Sequence, residues 1–352
     1  MTEKPTMTPR ERVMKLLAKE SIDHMPCFSG QGMVTRPAIE SLGLRFSQIH
    51  KSGEAMAHSA VASLERYGFD AAVVPFDMCT VPEALGLPIS LYEQSEDILY
   101  PTLPAKHKSP EEVNIPDDLL LRERMPVVTE ALSILKKKIG RESAVGTWLL
   151  GPFTMAGQLV ELDVLYKMTR KEPKRVEALL DRLTEMIIRV GQFYQELGAD
   201  YISLREMGAG TTILSPRIFR AMIQPRLSRV LSAWKSPKVL HICGSTDLII
   251  SMMNECGADA LSVDQQNNLA ASREKVGKET LLFGNFDPFA TLSKKDPAEV
   301  DGVVQSCLQA GADAVWPGCD IWPEVKEENV FRLVEAVHTL GKKPSPAVGR
   351  IA

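Results

Sequence analysis

The stretch CGADALSV (256–263) ends an amphipathic segment with a glycine and then continues into a short apolar run. Glycine takes the left-handed conformation that ends many helices, and an apolar run too short for a helix is typical of a parallel strand covered on both faces. The pattern recurs in YGFDAAVVP (67–75), LGADYISL (197–204) and AGADAVWP (310–317). Each copy predicts a helix, a glycine cap and a buried strand.

Four further apolar runs bring the number of predicted strands to eight: PCFSG (26–30), AVGTWLL (144–150), KVLHIC (238–243) and TLLFGN (280–285). Amphipathic segments separate these strands, and such alternation indicates parallel β/α units. The sequence therefore predicts an α/β fold, a single (β/α)8 TIM-type barrel. In this fold the active site lies at the C-terminal ends of the strands.

The rest of the chain is predicted to decorate this barrel. Residues 1–25 form an N-terminal helical extension that begins at a capping box, Thr8-Pro9-Arg10-Glu11, and packs on the bottom of the barrel. The barrel itself, the catalytic domain, covers 26–340. An insertion after the second strand, at 82–122, carries a short hairpin or helix over one rim. The tail 341–352 has no core-forming pattern and is predicted to be mobile.

Composition excludes several classes of protein. The 352 residues carry 41 Lys and Arg against 45 Asp and Glu, and this net charge of -4 argues against a nucleic-acid partner. With 44% hydrophobic and 24% charged residues, the chain is not disordered. No apolar run approaches the roughly 18 residues of a membrane span, and no export signal opens the sequence. We predict a cytoplasmic protein whose six cysteines are reduced thiols or metal ligands.

Two of the predicted strands end in residues that bind soft metals. In KVLHICG, alternation along an extended chain points His241 and Cys243 to the same side. The last strand runs into Trp316-Pro317-Gly318-Cys319, which brings Cys319 to the same rim. One imidazole and two thiolates favour zinc over harder metals, and three protein ligands leave a fourth position open for a substrate. The pattern thus predicts a catalytic zinc site.

The alternative is that these cysteines only pack, because a buried cysteine usually behaves as a small hydrophobic residue. Packing is the preferred interpretation for Cys256 and Cys307, which precede strands on predicted helices. Cys27 and Cys79 are poorly placed as ligands. The remaining histidines lie on predicted helices or loops and are given no catalytic role: His24, His50, His58, His107 and His338.

Five segments together resemble the uroporphyrinogen decarboxylase superfamily, and they span nearly the whole chain. They are RVMKLLAKESIDHMPC (12–27), GPFTMAG (151–157), HICGSTDLIISMMNECGADALSVDQ (241–265), LLFGNFDP (281–288) and WPGC (316–319). The His-x-Cys-Gly and Pro-Gly-Cys motifs resemble the zinc site of the methylcobamide:coenzyme M methyltransferases. Decarboxylases carry an arginine motif after the first strand, whereas this chain has FSGQGM (28–33) there. The resemblance therefore disfavours decarboxylation.

The resemblance implies roles for individual residues. His241, Cys243 and Cys319 match the zinc ligands, and Asp264 lies where relatives have an acidic residue that completes the metal shell without substrate. The alternative for Asp264 is a carboxylate that only lines the pocket. Four rim residues are expected to shape the substrate pocket: Gln31, Asp77, Asn285 and Asp287. For Asp287, which precedes a proline, ordinary turn chemistry is the alternative.

The activity that the resemblance implies is transfer of a methyl group from a methyl-Co(III) corrinoid, carried by a separate protein, to a small thiol such as coenzyme M. Zinc is the implied cofactor. Alternatives are a demethylase that passes a methyl group from an amine or ether to a corrinoid protein, a porphyrinogen decarboxylase, and a non-catalytic metal-binding or scaffold protein. Arg36 and Arg205 could hold an anionic substrate or be ordinary salt-bridge partners.

Overall fold

The computed structural model describes residues 6–341, and its centre is a parallel sheet of six strands that follow one another in chain order. The strands are β1 (Ala71–Val74), β2 (Ala144–Leu150), β3 (Tyr201–Arg205), β4 (Lys238–Ile242), β5 (Ala260–Val263) and β6 (Leu281–Phe283). Every strand is almost completely buried, as expected where helices cover both faces of a parallel sheet.

Helices connect the strands and surround the sheet. In chain order they are α1 (Pro9–Leu17), α2 (Arg36–Glu40), α3 (Gly53–Tyr67), α4 (Thr80–Ala84), α5 (Met125–Lys138), α6 (Pro152–Leu159), α7 (Leu162–Lys171), α8 (Pro173–Glu196), α9 (Pro216–Ile218), α10 (Gln224–Ala233), α11 (Ile250–Asn254), α12 (Leu269–Val276), α13 (Pro297–Gln309) and α14 (Glu327–Leu340). None of the helices within residues 6–341 combines the length and the apolar character needed to cross a bilayer.

The predicted TIM-type fold is confirmed, but two of the eight predicted strands do not join the ladder. The segment 26–30 lies beside β1, where Asp70 N donates to Cys27 O at 2.9 Å. The segment 314–317 lies beside β6 and pairs only through isolated bridges, of which one joins Phe283 to Ala314. These two segments meet, since the rings of Phe28 and Trp316 pack with centroids 5.2 Å apart.

The glycine and aspartate of the repeated pattern have separate structural tasks. All four glycines adopt positive φ, as predicted for helix caps: Gly68 (76°), Gly198 (99°), Gly257 (84°) and Gly311 (89°). Each aspartate binds the backbone of the preceding strand, and its carboxylate accepts an N–H at that strand's beginning. The pairs are Asp70 with Cys27 (2.8 Å), Asp200 with Val145 (2.9 Å), Asp259 with Lys238 (2.8 Å) and Asp313 with Leu282 (2.9 Å).

The N-terminal helix forms as predicted. Thr8 and Glu11 cap α1 reciprocally, and Arg12 pairs with Asp70 at 2.6 Å immediately before β1. This contact places α1 at the N-terminal ends of the strands. The predicted insertion also exists and carries a short antiparallel bridge between Ser90 and Thr102. The predicted mobile tail, beyond residue 341, lies outside the described residues, and the division into extension, barrel and tail stays a prediction.

Candidate functional site

His241 is the central residue of the site. It lies at the C-terminal end of β4 and is fully buried. Its Nδ1 is 2.9 Å from the hydroxyl of Ser262, its register partner on β5. Burial, with the nearby charge of Arg205, lowers the pKa of His241 to about 3. A neutral imidazole that donates Nδ1–H to Ser262 presents the lone pair of Nε2, which is the form that binds metals.

The two predicted cysteine ligands are adjacent to this imidazole and to each other. Cys243 Sγ is 3.0 Å from His241 Nε2, and the thiols of Cys243 and Cys319 share a hydrogen bond. The bond from Cys243 lowers the pKa of Cys319, while the same bond and burial raise the pKa of Cys243. Of the two thiols, Cys319 is therefore the one that loses its proton more readily.

These contacts are a test of whether the residues suit zinc. Within residues 6–341, no group of three or more His, Cys, Asp or Glu side chains is placed so that it could hold a metal ion. The structure instead joins His241, Cys243 and Cys319 by two direct pairwise contacts. One neutral imidazole and two thiols that converge at the strand ends have the donor chemistry of zinc sites. The donor types present therefore suit zinc, while their placement in this structure does not form a group that could hold the ion.

Two side-chain amides fix the loops that carry these predicted ligands. Asn267 donates to the backbone oxygen of Gly244 at 2.9 Å and accepts a bond from the Thr246 hydroxyl at 3.0 Å. Asn285 donates to the backbone oxygens of Asp264 (3.0 Å) and Asn267 (2.8 Å). The Asn285 side chain thus holds the backbone of the turn after β5. Asn267, which lies in that turn, holds the loop after His241.

The other predicted site residues are more dispersed. Asp264 is buried beside Cys243, whose pKa it helps to raise, and its carboxylate accepts the Gln266 N–H at 2.8 Å. Asp287 accepts the Ala290 N–H at 2.8 Å, which is turn chemistry. Gln31 is buried, and its Nε2 has no hydrogen-bond partner among the described residues.

Asp77 belongs to a separate network of charged side chains that includes Glu83 of the insertion. It lies 2.9 Å from His50 Nδ1 and 2.8 Å from Arg124 Nη1, and Arg124 also pairs with Glu83 at 2.6 Å. Burial alone would raise the pKa of Asp77, but its bond to His50 and the charge of Arg124 hold this pKa well below its usual range. Sequence reasoning missed this partnership because His50 and Arg124 lie far from Asp77 in the chain.

Sequence reasoning also undervalued Arg205, which lies in the barrel mouth. Its side chain is 1% exposed, and its guanidinium stacks on Trp148, 3.8 Å from the ring centroid. It donates to the backbone oxygen of Gly30 and pairs with Asp320 at 3.1 Å. The signal in the sequence was a lone charge that ends an otherwise uncharged strand, YISLR (201–205).

The four remaining cysteines are apart from the site. Cys27, Cys79, Cys256 and Cys307 are all buried. Cys307 lies on α13 as predicted, whereas Cys256 lies in the turn after α11, where its thiol donates to the Met252 backbone oxygen at 3.3 Å. These positions support packing roles.

Comparison with known proteins places the chain among related enzymes. It is 30% identical over 330 residues to the methylcobamide:CoM methyltransferase MtaA of Methanosarcina barkeri, with 94% of this chain and 97% of that protein covered. It is 26% identical over 353 residues to the uroporphyrinogen decarboxylase of Pectobacterium atrosepticum, with 94% and 97% covered.

Its structure is similar to that of a methyltransferase from Methanosarcina mazei, with a TM-score of 0.88, 30% sequence identity and coverage of 94% and 98% of the two chains. The family described as uroporphyrinogen decarboxylase (URO-D) matches residues 8–340, which include every strand and helix listed above. The chain therefore belongs to the uroporphyrinogen decarboxylase family.

Proposed function

We propose that this chain is a zinc-dependent methyltransferase that moves a methyl group from a methyl-Co(III) corrinoid to a small thiol, coenzyme M. The observation that carries the proposal is the convergence of His241, Cys243 and Cys319 at the C-terminal ends of the strands. The similarity to MtaA over 94% of this chain supports both the donor and the acceptor.

The proposed metal ligands are His241, Cys243 and Cys319, with Asp264 as a fourth ligand when no thiol is bound. Zinc held there would supply a Lewis acid that lowers the pKa of the acceptor thiol. Ser262 keeps the His241 ring oriented through the 2.9 Å contact with Nδ1. The surrounding burial keeps this imidazole neutral, so that it adds no positive charge to the site.

The reaction balances without a side-chain general base. The S–H bond of the acceptor and the Co–C bond of the donor break, and an S–CH3 bond forms. The electron pair of the Co–C bond remains on cobalt, which becomes Co(I), and the thiol proton passes to solvent. The barrel mouth serves to hold the thiol in line with the methyl group.

A corrinoid is too large to enter the barrel, so we propose that a separate corrinoid protein docks on its open end. Exposed large apolar side chains on the segments that follow the strands support this docking face: Met78, Ile213, Leu248, Phe289 and Trp322. Apolar side chains grouped around a functional opening are typical of interaction surfaces. We further propose that this encounter takes place in the cytoplasm.

The test is to incubate the purified protein with methylcobalamin and coenzyme M while the corrinoid spectrum and bound zinc are measured. We expect about one zinc per chain and conversion of methyl-Co(III) to Co(I). Cys243→Ser and Cys319→Ser should lose both the bound zinc and the conversion of methyl-Co(III) to Co(I), because a serine hydroxyl remains protonated and binds zinc poorly.

Cys256→Ser and Cys307→Ser are the matched controls, because these thiols are buried away from the site. Both variants should keep zinc and turnover. Full zinc and full turnover in Cys319→Ser would contradict the proposed ligand set. Methyl transfer from a methylamine or aryl methyl ether to cobalamin, with none to thiols, would instead indicate a demethylase.

A further inference from the structure

Arg205 is a buried cation whose hydrogen-bonding capacity is only partly used. Within the described residues its guanidinium donates to Gly30 O through Nε and Nη2 and to Asp320 through Nη1. A guanidinium has five N–H groups, so two of them have no acceptor in these contacts. Burial lowers the pKa of Arg205, and the charge of Asp320 partly offsets this effect.

Three further side chains of this region carry buried polar atoms that have no hydrogen-bond partner in the described part of the chain. The amide nitrogen of Gln31 and the indole nitrogen of Trp316 are buried without a hydrogen-bond partner among residues 6–341, and so is the hydroxyl of Ser203. A Cβ placed on Gly30 would overlap the Ser203 hydroxyl and come within 2.9 Å of the Trp316 ring. The absence of a side chain at Gly30 therefore lets the Ser203 hydroxyl and the Trp316 ring approach its backbone.

The charges around Arg205 leave room for an anion. Its partner carboxylate, Asp320, is 40% exposed at the rim. The neighbouring carboxylate, Glu206, is instead bound by Phe153 N (3.0 Å) and by Thr154 at the beginning of α6. A buried cation with one half-exposed counter-ion can exchange that counter-ion for the acidic group of a ligand.

This cluster is also close to the proposed reacting sulfur. Asp320 directly follows Cys319, and consecutive Cα atoms are about 3.8 Å apart. Arg205 is paired in register with His241, and its positive charge acts on the thiol of Cys319. A small molecule with a thiol at one end and an acidic group at the other could contact both places.

We infer that Arg205 forms an anion subsite that binds the sulfonate or carboxylate end of a small thiol acceptor in exchange for Asp320. This inference rests on the proposed function and adds the residues that select the acceptor. A guanidinium and neutral N–H donors suit a sulfonate, which accepts hydrogen bonds through several oxygens.

The test compares three thiols that differ only in their second group: coenzyme M (sulfonate), 2-mercaptoethanol (neutral) and cysteamine (cationic). Methylcobalamin is the donor. We expect the wild-type KM to be lowest for coenzyme M. Arg205→Met should raise that KM about 10- to 100-fold, the loss expected for a charge-assisted hydrogen bond, and change the KM for 2-mercaptoethanol less than about twofold.

Asp320→Asn gives a result of opposite sign, because it removes the carboxylate that competes with the ligand. Its KM for coenzyme M should fall, whereas a purely structural ion pair predicts a KM that rises for every thiol. Arg226→Met is the matched control, since Arg226 is a largely buried arginine paired with the half-exposed Asp181 at 2.9 Å on the outer helices. It should leave all three KM values unchanged.

A calorimetric titration with ethanesulfonate, which has the anion but no thiol, measures the subsite without turnover. The wild type should bind ethanesulfonate, and Arg205→Met should not. Arg205→Lys keeps the positive charge but loses the planar guanidinium with its parallel N–H donors. Its affinity for ethanesulfonate should therefore lie between those of the wild type and Arg205→Met. If Arg205→Met does not fold, the wild-type KM values and the wild-type titration with ethanesulfonate still test the anion subsite.

These measurements distinguish a failure of the proposed function from a failure of the anion subsite. A wild type that methylates none of the three thiols overturns the proposed function. A wild type that methylates coenzyme M and 2-mercaptoethanol with equal KM, and binds no ethanesulfonate, overturns the anion subsite alone. Equal increases in KM for every thiol in Arg205→Met would also overturn it.

Discussion

Side chains from three adjacent strands, Arg205, His241 and Ser262, form one row across the barrel mouth. Arg205 contributes a fixed positive charge, and this charge opposes a second one on the buried imidazole of His241. Ser262 then determines which ring nitrogen is available for binding. A neutral imidazole near neutral pH thus follows from burial and a neighbouring cation.

Ser262→Ala should weaken zinc binding by about 10- to 100-fold, the usual effect of removing a hydrogen bond that orients a metal ligand. The reason is that Nδ1 of His241 would lose its 2.9 Å partner and the ring its preferred orientation. The measurement is competition for zinc with a chelator of known affinity.

Ser272→Ala is the control for this change, because Ser272 is equally buried but its hydroxyl makes no hydrogen bond within residues 6–341. Its zinc affinity should match that of the wild type. Identical zinc affinities in Ser262→Ala and the wild type would show that the ring is held by packing alone.

At the scale of single residues, the sequence predicted His241 and Cys243 because alternation in a strand is a strong constraint. It did not reveal that Arg205 faces the barrel mouth, because both faces of a parallel strand are buried and apolar patterns do not distinguish them. The contact between Asp77 and His50 was also unpredictable, since Asp77 comes 27 positions after His50 and a helix and a strand lie between them.

Among the secondary-structure elements, the repeated aspartates explain how neighbouring strands are joined in pairs at their N-terminal ends. Each carboxylate accepts a strand N–H while the aspartate's own N–H donates to the same residue's carbonyl, as Asp259 does with Lys238 (2.8 and 3.0 Å). The contact is therefore reciprocal. The sequence displayed the aspartate in all four copies, but its partners lie on strands 21 to 55 residues away.

Asp259→Ala should lower the free energy of unfolding by about 1–3 kcal/mol, because the Lys238 N–H at the beginning of β4 would lose its acceptor. Asp259→Asn keeps an acceptor oxygen and should cost less. Urea denaturation of both variants measures the difference. Asp117→Ala, at an exposed position in the insertion, is the control and should stay within about 0.5 kcal/mol of the wild type.

Equal losses in Asp259→Ala and Asp259→Asn would mean that the charge, rather than the acceptor, matters. The same contact ties the segment 26–30 to the beginning of β1. Pro26 has no N–H, and the N–H of Cys27 is taken by the side chain of Asp70. The Asp70 carboxylate thus replaces a backbone carbonyl as the acceptor of this N–H. The apolar pattern of a strand does not predict such a replacement.

For the molecule as a whole, two buried carboxylates make stability depend on pH in opposite directions. The pKa of Asp77 is lower in the folded chain than its ordinary value of 3.8, so its contribution is present above that pH and is lost as pH falls. Burial raises the pKa of Glu206 from 4.5 to about 7, although bonds from Thr154 and Phe153 oppose this shift. The contribution of Glu206 is therefore complete below pH 4.5 and is lost as pH rises through about 7.

Glu206→Gln should remove the alkaline part of this dependence. Relative to the variant, the wild type should lose up to about 3 kcal/mol of unfolding free energy between pH 5 and pH 8, since each unit of pKa shift corresponds to about 1.4 kcal/mol. Urea denaturation at several pH values measures both curves, and Glu54→Gln, at an exposed position on α3, should follow the wild type. Parallel curves for Glu206→Gln and the wild type would mean that the bonds at the beginning of α6 keep Glu206 ionised. In that case α6, whose first residues adjoin the barrel mouth, would be held by a permanent charge rather than by a carboxyl group that titrates near neutral pH.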